Sequence, residues 1–192
     1  MRKIIKATPI CMCFLSLLSF LSFADSENTE NHISVGAVFG DFKGYNIVDQ
    51  SVKGFGINYA RINDGSNLGF IFSLQNSKAE KTYLDLDYGS ISLEYKITSF
   101  SIGPIYHPSS INWLKLYVDI GGTYFDVKVK EKQTQLSLTD DDLWFNYSIG
   151  AQIRLPKTPV FIDASYKSIH TSGNYSGLDI KNHFFLGAGY SF

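Results

Sequence analysis

Cysteine is almost absent from this sequence, because Cys11 and Cys13 are its only two copies and both lie near the start. Neither has the position of a lipoprotein cysteine at a cleavage site. If the segment that contains them is removed on export, the remaining chain has no thiol. Disulfide bonds, thiol catalysis and cysteine-based metal sites are then excluded together.

Long apolar runs are also scarce, and the one that exists lies at the start of the chain. Three basic residues among the first six precede an apolar stretch from Ile10 to Phe23. This stretch of about 14 residues is shorter than the roughly 20 that a spanning helix needs. The layout predicts a signal peptide over residues 1–24, with cleavage between Ala24 and Asp25. Residues 25–192 then form one domain.

Basic clusters are missing as well. Without residues 1–24 the chain has 14 Lys and Arg against 18 Asp and Glu, a formal net charge of −4, and its basic residues are not clustered. We therefore expect no nucleic-acid partner. An exported chain without a further helical span can cross a membrane only as strands, and a closed barrel leaves no backbone group unpaired in lipid.

What the sequence does contain is alternation with a period of two, which is clearest in its last nine residues. The apolar row is Phe184, Leu186, Ala188, Tyr190 and Phe192, and it alternates with Phe185, Gly187, Gly189 and Ser191. One face of this strand is apolar, while the other is mostly small or polar. A final strand of this kind resembles the signal that outer-membrane barrels present to their insertion machinery. The alternative, an edge strand of a soluble β-sandwich, is disfavoured by the export signal.

The same alternation predicts seven earlier strands. They lie near residues 33–40, 54–60, 68–75, 91–106, 114–124, 143–154 and 160–167. Between Asn76 and Phe100 the apolar phase changes twice, which predicts either a β-bulge or strand ends that project beyond the membrane. Short turns at 63–67, 107–113 and 155–159 alternate with longer loops at 41–51, 76–90, 128–142 and 170–179.

This pattern predicts an all-β fold, an eight-stranded antiparallel up-and-down transmembrane β-barrel. The short turns are then periplasmic and the four longer loops extracellular. Aromatic residues near the strand ends are expected to form belts at the two headgroup levels. These are Tyr59, Tyr106, Trp113, Trp144, Tyr147, Tyr166 and Tyr190.

Eight strands enclose only enough space for side chains to fill, so a pore is not expected. The alternate positions that should point into the barrel include five charged residues, Lys115, Asp119, Arg154, Asp163 and Lys167. They also include the neutral polar residues Asn58, Gln75, Asn146, Gln152 and His183. Because buried charges need partners, we interpret this set as a structural polar network rather than as a proton or ion path.

Six short stretches carry a resemblance to a known family. They are Gly54-Phe55, Leu68-Gly69, Gly103-Pro104-Ile105-Tyr106, Tyr147-Ser148-Ile149-Gly150-Ala151-Gln152, Ile162-Asp163-Ala164-Ser165-Tyr166 and Gly187-Ala188-Gly189-Tyr190-Ser191-Phe192. In this order they resemble the Ail/Lom attachment-invasion family, which includes outer-membrane protein X. The chain departs from that pattern at Gly56, Asn58 and Ala60, where the family tends to place basic residues, and at Ser191, where it usually has an arginine.

The resemblance implies an integral outer-membrane protein that attaches to host cells or matrix and protects against complement through its extracellular loops, and thus a part in adhesion, invasion and virulence. Its implied partners are outer-membrane lipid and lipopolysaccharide, the barrel insertion machinery and host matrix or complement-regulatory proteins, with the barrel itself a monomer. No cofactor, metal or catalytic residue is expected. A structural barrel that only supports envelope integrity is another possibility.

A hydrolase is the competing class. His170-Thr171-Ser172 resembles the His-x-Ser of outer-membrane lipid A deacylases. A serine hydrolase needs an acid to orient its base, and the next strand offers Phe184 and Leu186 where those enzymes place that acid. His32, His107 and His183 lack the spacing of a metal site. We therefore expect no enzyme.

The loops have little net positive charge with which to attract sulfated polysaccharide. In the third loop, Lys128, Lys130 and Lys132 are expected to pair across the hairpin with Asp140, Asp141 and Asp142. Host contact is therefore expected through apolar and aromatic loop residues. The candidates are Tyr45, Ile47, Val48, Tyr83, Leu84, Leu136, Leu138 and Tyr175. Alternatively, these residues merely extend the strands.

Overall fold

The computed structural model describes residues 29–44, 47–63, 66–85, 89–131, 137–170 and 179–192. The expected signal peptide therefore lies outside the described residues. The eight strands are β1 (Thr29–Gly44), β2 (Ile47–Asn63), β3 (Leu68–Asp85), β4 (Gly89–Tyr106), β5 (Leu114–Glu131), β6 (Ser137–Arg154), β7 (Val160–His170) and β8 (Asp179–Ser191). No helix in the described ranges is long and apolar enough to cross a membrane.

The strands form one closed antiparallel barrel in sequence order, with β8 pairing back to β1. This confirms the prediction of an eight-stranded up-and-down barrel. One end carries Thr29, Phe192 and the connections β2–β3, β4–β5 and β6–β7, and we call it the turn end. The opposite end, which carries the other four connections, is the loop end.

The outer face of the barrel is apolar. Several large outward side chains are each more than half exposed, namely Phe55, Leu68, Ile102, Ile120, Leu143, Ile149 and Phe192. An apolar surface of this extent is rare on a soluble monomer and favourable in lipid. The alternation that the sequence showed is thus an outward apolar row on each strand and an inward row that fills the barrel.

The two phase changes between Asn76 and Phe100 do not come from a bulge. β3 and β4 pair in one continuous register from Leu68 opposite Tyr106 to Asp85 opposite Gly89. Tyr95 and Ile97 are apolar but point inward and are buried, whereas Phe100 points outward. The phase changes because the filling of the barrel becomes apolar towards the loop end, and the strands project as the second alternative predicted.

Three of the four predicted long loops are mostly strand, and residues 171–178 of the fourth lie outside the described residues. Asp41–Ser51 was expected to be a loop, but β1 extends to Gly44 and β2 begins at Ile47; likewise β5 extends to Glu131 and β6 begins at Ser137. Polar and charged residues are as compatible with a solvent-exposed hairpin as with a loop. Backbone pairing between adjacent strands decides the structure here, and composition alone does not reveal that pairing.

Candidate functional site: the barrel interior and the loop end

The interior is layered, and the inward residues of β5 mark the layers. From the turn end to the loop end these residues are Lys115, Tyr117, Asp119, Thr123 and Phe125, all buried. The turn end combines charged residues with an apolar cluster that includes Ile62, Ile71 and Ile105, and it is followed by polar layers and then by a second apolar layer. The structure thus places Lys115, Asp119, Asp163 and Lys167 inside the barrel, while Arg154 is only partly buried.

Asp163 is fully buried and accepts four hydrogen bonds from neutral side chains. The donors are Ser34 Oγ at 2.6 Å, Asn58 Nδ2 at 2.9 Å, Tyr117 Oη at 2.8 Å and Gln152 Nε2 at 3.2 Å. The expected direct contacts with Lys115, Arg154 and Lys167 are not formed. A carboxylate can be stabilised inside a protein by several aimed dipoles as well as by a counter-charge.

Gly150 makes one of these hydrogen bonds possible. A Cβ atom at this position would collide with the ring of Tyr117, whose hydroxyl reaches Asp163. Any larger residue at position 150 would displace the tyrosine and leave the carboxylate with one donor fewer. The glycine is therefore part of the Asp163 cluster, although it has no polar side chain.

The buried carboxylate of Asp119 and the buried ammonium group of Lys167 also contact neutral partners. Asp119 accepts hydrogen bonds from Ser73 at 3.2 Å and from Ser148. Lys167 donates to Ser101 at 3.4 Å, and among the described residues no carboxylate lies within 4.0 Å of its ammonium group. The central charges are thus separated by hydroxyl and amide groups.

Direct ion pairing is concentrated at the turn end, around a residue that the sequence did not single out. Glu30 binds Lys115 at 2.9 Å and contacts both Arg154 and His32. His32 also contacts Ser191 Oγ at 3.2 Å. The alternation of β1 could have been extended back to include His32, but nothing in the sequence placed Glu30 beside Lys115 and Arg154.

An apolar layer fills the barrel towards the loop end. The Phe125 and Trp144 rings stack at 4.4 Å between centroids, and the Tyr95 ring lies 5.8 Å from that of Phe125. Trp144 is 1 % exposed, so its expected place in an aromatic belt is wrong. On β6 the even-numbered residues point inward, which puts Trp144 inside next to the outward Leu143 and Phe145.

Above this layer, four strands continue as a sheet beyond the closed part of the barrel. The pairing of β2 with β3 ends at Lys53 opposite Lys78, and the pairing of β6 with β7 ends at Phe145 opposite His170. The pairs β3–β4, β4–β5 and β5–β6 extend further, and the separate β1–β2 pair also continues, to Gly44 opposite Ile47. We call this extension, residues 79–85, 89–95, 127–131 and 137–144, the protruding sheet.

Both lateral edges of the protruding sheet are open in the described part of the chain. Residues 79–85 of β3 pair only with β4, and residues 137–143 of β6 pair only with β5. An open edge presents a row of backbone donors and acceptors to the surroundings.

Comparison with known proteins assigns the chain to a family. The family model of the outer membrane protein beta-barrel domain matches residues 10–192. The chain belongs to this outer-membrane β-barrel family. It is therefore an integral outer-membrane protein.

Solved structures of other outer membrane proteins share the fold. The crystal structure of Ail, the attachment invasion locus protein of Yersinia pestis, in complex with the heparin analogue sucrose octasulfate is 23% identical, with a TM-score of 0.68 over 86% of this chain and 99% of Ail. The backbone structure of Yersinia pestis Ail in a phospholipid bilayer nanodisc has 24% sequence identity and a TM-score of 0.54, and the match covers 86% of this chain and 100% of Ail. The crystal structure of a major outer membrane protein from Thermus thermophilus has 14% sequence identity and a TM-score of 0.53, and the match covers 84% of this chain and 99% of that protein. A search of curated protein sequences found no significant match.

The outward row on the last strand of this outer-membrane barrel lies on its lipid-facing side. Phe184, Leu186, Ala188, Tyr190 and Phe192 all point outward, and the four large side chains among them are exposed. At the turn end the backbone of Phe192 exchanges two hydrogen bonds of 2.9 Å with Asn31. The structure therefore places the predicted insertion signal on the strand that closes the barrel.

The charge pairing expected across the third loop stays a prediction, because the side chains of Lys130, Asp140 and Asp141 and the whole of Lys132 lie outside the described residues. In the backbone register Lys128 lies opposite Thr139 and Asp126 opposite Asp141, and the described ion pair of Lys128 is with Asp126 at 4.0 Å. On the other side Lys128 lies opposite Glu94. A second row of cross-strand neighbours brings together Lys53, Lys78 and Lys96. Summing charge loop by loop concealed this grouping.

The predicted loop contacts cannot be placed by their side chains. Tyr45, Leu136 and Tyr175 lie outside the described residues. The strands include Ile47, Val48, Tyr83, Leu84 and Leu138, but the side chains of these five also lie outside the described part. His170 is exposed at the end of β7, while Thr171 and Ser172 lie outside the described residues. Within the described ranges, no three His, Cys, Asp or Glu residues form a metal-binding group.

Proposed function

We propose that this outer-membrane barrel attaches the bacterium to host cells or extracellular matrix and contributes to resistance against complement. In this proposal the loop end faces the outside of the cell and the turn end faces the periplasm. The observation that carries the proposal is the protruding sheet with its two open edges. A barrel that served only as a membrane plug would need no strands beyond the lipid.

Open sheet edges are suited to binding an extended segment of another protein. Such a segment adds a strand, and the main-chain hydrogen bonds supply affinity with little dependence on its sequence. Natural proteins usually protect long edges because they also promote aggregation. Two open edges on one described sheet therefore favour an interaction role over a merely structural one.

The similarity to Ail supports the same function. The name of that protein refers to attachment and invasion, and its fold covers 86% of this chain. At 23% identity the similarity to Ail shows a shared fold. The proposed mode of binding therefore rests on the features of this chain.

Blocking one edge tests the proposal. The backbone N–H of Arg154 donates to Trp113 O beside β5, and the β5–β6 register then runs without a shift up to Lys130 opposite Ser137. Because N–H groups alternate sides along a strand, that of Thr139 points to the open edge. Thr139→Pro removes this donor and leaves the β5–β6 pairing intact. We expect cells that express it to lose most of their adhesion to epithelial cells and matrix.

Thr139→Ala is the matched control, because it removes the same side chain and keeps the donor. Surface amounts of both variants are compared first, so that loss of assembly is not mistaken for loss of binding. Serum survival is measured on the same cells and is expected to fall with adhesion. Full adhesion of Thr139→Pro at normal surface amounts would reject the edge mechanism.

Salt and heparin distinguish backbone or apolar contact from capture by a basic surface. Attraction to a polyanion is screened as ionic strength rises, whereas strand addition and apolar contact are not. We expect adhesion to change little between low and high salt and to resist heparin. Loss of binding under either condition would instead assign recognition to basic residues such as Lys53, Lys78 and Lys96. Mass spectra of lipid A from cells with and without the protein should be identical, and a change would favour the hydrolase.

A further inference from the structure

Two unpaired strand edges stand side by side at the loop end. The pairing of β2 with β3 stops at Lys53 opposite Lys78, although both strands continue beyond this point. Residues 47–52 of β2 pair with β1 alone, and residues 79–85 of β3 pair with β4 alone. Each unpaired edge is about 20 Å long, since a strand rises about 3.3 Å per residue. We call the space between these two edges the β2–β3 cleft.

Backbone donors point into the cleft from both sides. The N–H of Asn31 donates to Phe192 O, on the side of β8, and the β1–β2 register does not shift before Phe42. Because N–H groups alternate sides along a strand, those of even-numbered β2 residues point to β1 and that of Ser51 points to the cleft. The constant β2–β3 register directs the N–H of Glu80 into the cleft from the other side. An extended chain between these edges would be hydrogen-bonded on both sides.

Like charges meet at the base of the cleft. Lys53 and Lys78 lie directly opposite each other, and Lys96 lies opposite Lys78 on the next strand. Directly opposed like charges disfavour strand pairing, and pairing stops at this level. Lys96 contacts Glu94 at 3.5 Å, whereas among the described residues neither Lys53 nor Lys78 has a carboxylate within 4.0 Å. Two cations without a described ion pair therefore flank the base.

The acidic residues of this region lie further from the base. Asp41 lies opposite Lys181 in the β1–β8 pair. Glu80 lies two residues beyond Lys78 along β3, opposite Glu94. An anionic group at the base of the cleft would therefore meet the two lysines before it met these carboxylates.

The inner side of the base is apolar. Val52 and Ala79 are 0 % and 3 % exposed and belong to the apolar cluster that contains Tyr95 and Phe125. Side chains of an inserted strand would alternate between this cluster and the outer face. A ligand of the cleft should therefore carry apolar residues at alternate positions.

The cleft is closed at its base, because below it β2 and β3 pair with each other. A chain that enters between the two edges must end there, so the cleft suits a chain terminus rather than a passing segment. The lysines favour a carboxylate over an ammonium terminus. We propose that the β2–β3 cleft binds the extended carboxyl-terminal segment of another polypeptide, with the terminal carboxylate held by Lys53 and Lys78. This site is separate from the open edge of β6 on which the adhesion test rests.

A pair of peptides tests the proposal. The full barrel in phosphatidylcholine nanodiscs is titrated with a short acetylated peptide of alternating threonine and valine, which ends in either a free carboxyl group or an amide. The backbone amide signals of Ser51 and Glu80 are followed by NMR, and we expect both to shift saturably with the acid. The amide should bind about ten-fold more weakly, because hydrogen bonds to a charged group are stronger than neutral ones. The Thr139 signal on the β6 edge should shift far less.

Variants test the edges and the base of the cleft separately. Ser51→Pro removes a donor that faces the cleft and spares the pairing with β1, so it should lose the acid peptide, while Ser51→Ala should keep it. Lys53→Gln combined with Lys78→Gln should abolish the preference for the acid, and Lys53→Arg combined with Lys78→Arg should retain it. Lys128→Gln changes a lysine elsewhere on the protruding sheet and should leave the preference unchanged.

Equal affinity of the two peptides for the parent barrel, or binding of neither, would overturn the carboxylate site. A shift of Glu80 alone, with full binding to Ser51→Pro, would overturn the two-sided cleft in favour of a single open edge. An equal shift of Thr139 would show that any open edge accepts the peptide and would also reject the site. The purified barrel is used throughout, so failure here is separable from failure of the adhesion proposal.

Discussion

Single residues inside the barrel are stabilised mainly by neutral hydrogen-bond donors. Asp163 has four such donors, and Asp119 is held by two serine hydroxyls. Fixed donors stabilise a carboxylate without the cost of burying a second ion beside it. Parity along β7 was sufficient to place Asp163 inside. Its hydrogen-bond partners were not predictable, because Ser34 and Asn58 lie 129 and 105 positions away in the sequence. The alternation shows that a residue points inward, but it does not show at which level along the barrel axis the residue lies.

Removing the Asp163 carboxylate should therefore destabilise the barrel strongly. Asp163→Ala leaves several buried donors unsatisfied, and each such group costs about 1–3 kcal/mol, so we expect a loss of about 3 kcal/mol or more after partial rearrangement. Tyr117→Phe removes one donor and should cost about 1 kcal/mol. The measurement is the urea midpoint of reversible folding into lipid vesicles. Equal midpoints for Asp163→Ala and the parent chain would place the carboxylate in water or lipid.

Among the strands, β8 both closes the barrel against β1 and carries the expected insertion signal. Its outward row is visible in the sequence because lipid selects apolar residues at every second position. The bulge at Asn182, where two residues of β8 lie opposite Gly40, was not visible, because asparagine is common in turns, bulges and strand ends alike. The extents of β5 and β6 were missed for another reason. Their projecting parts carry many charged residues, among them Lys128, Lys130 and Asp140, and this composition made a loop the expected structure.

Phe192→Ser should impair assembly more than stability. The terminal ring is 60% exposed and contributes little packing, but it completes the apolar row that the insertion machinery is expected to recognise. We expect unfolded protein in the periplasm and a reduced amount in the outer membrane. Tyr106→Ser, which changes another exposed aromatic residue at the turn end, should assemble normally. Equal outer-membrane amounts for both variants would contradict the insertion-signal interpretation.

For the whole molecule, the sequence was sufficient for the fold class and the strand number, because a barrel in lipid imposes the same alternation on each strand. It was insufficient for the protruding sheet, whose existence depends on where the pairing of β2 with β3 and of β6 with β7 stops. Those end points reflect the unequal lengths of neighbouring strands. The proposed function depends on this feature and on the side of the membrane to which it points.

Cysteine labelling in intact cells tests that central claim most directly. The chain beyond residue 24 has no cysteine, so one introduced thiol is unique in the mature protein that we expect. Ser90→Cys lies next to the first residue of β4 at the loop end, and Ser109→Cys is its isosteric counterpart in an exposed turn at the turn end. With a membrane-impermeant maleimide we expect Ser90→Cys to be labelled in intact cells and Ser109→Cys only after the outer membrane is permeabilised. Labelling of Ser109→Cys alone in intact cells would place the protruding sheet in the periplasm and contradict the account.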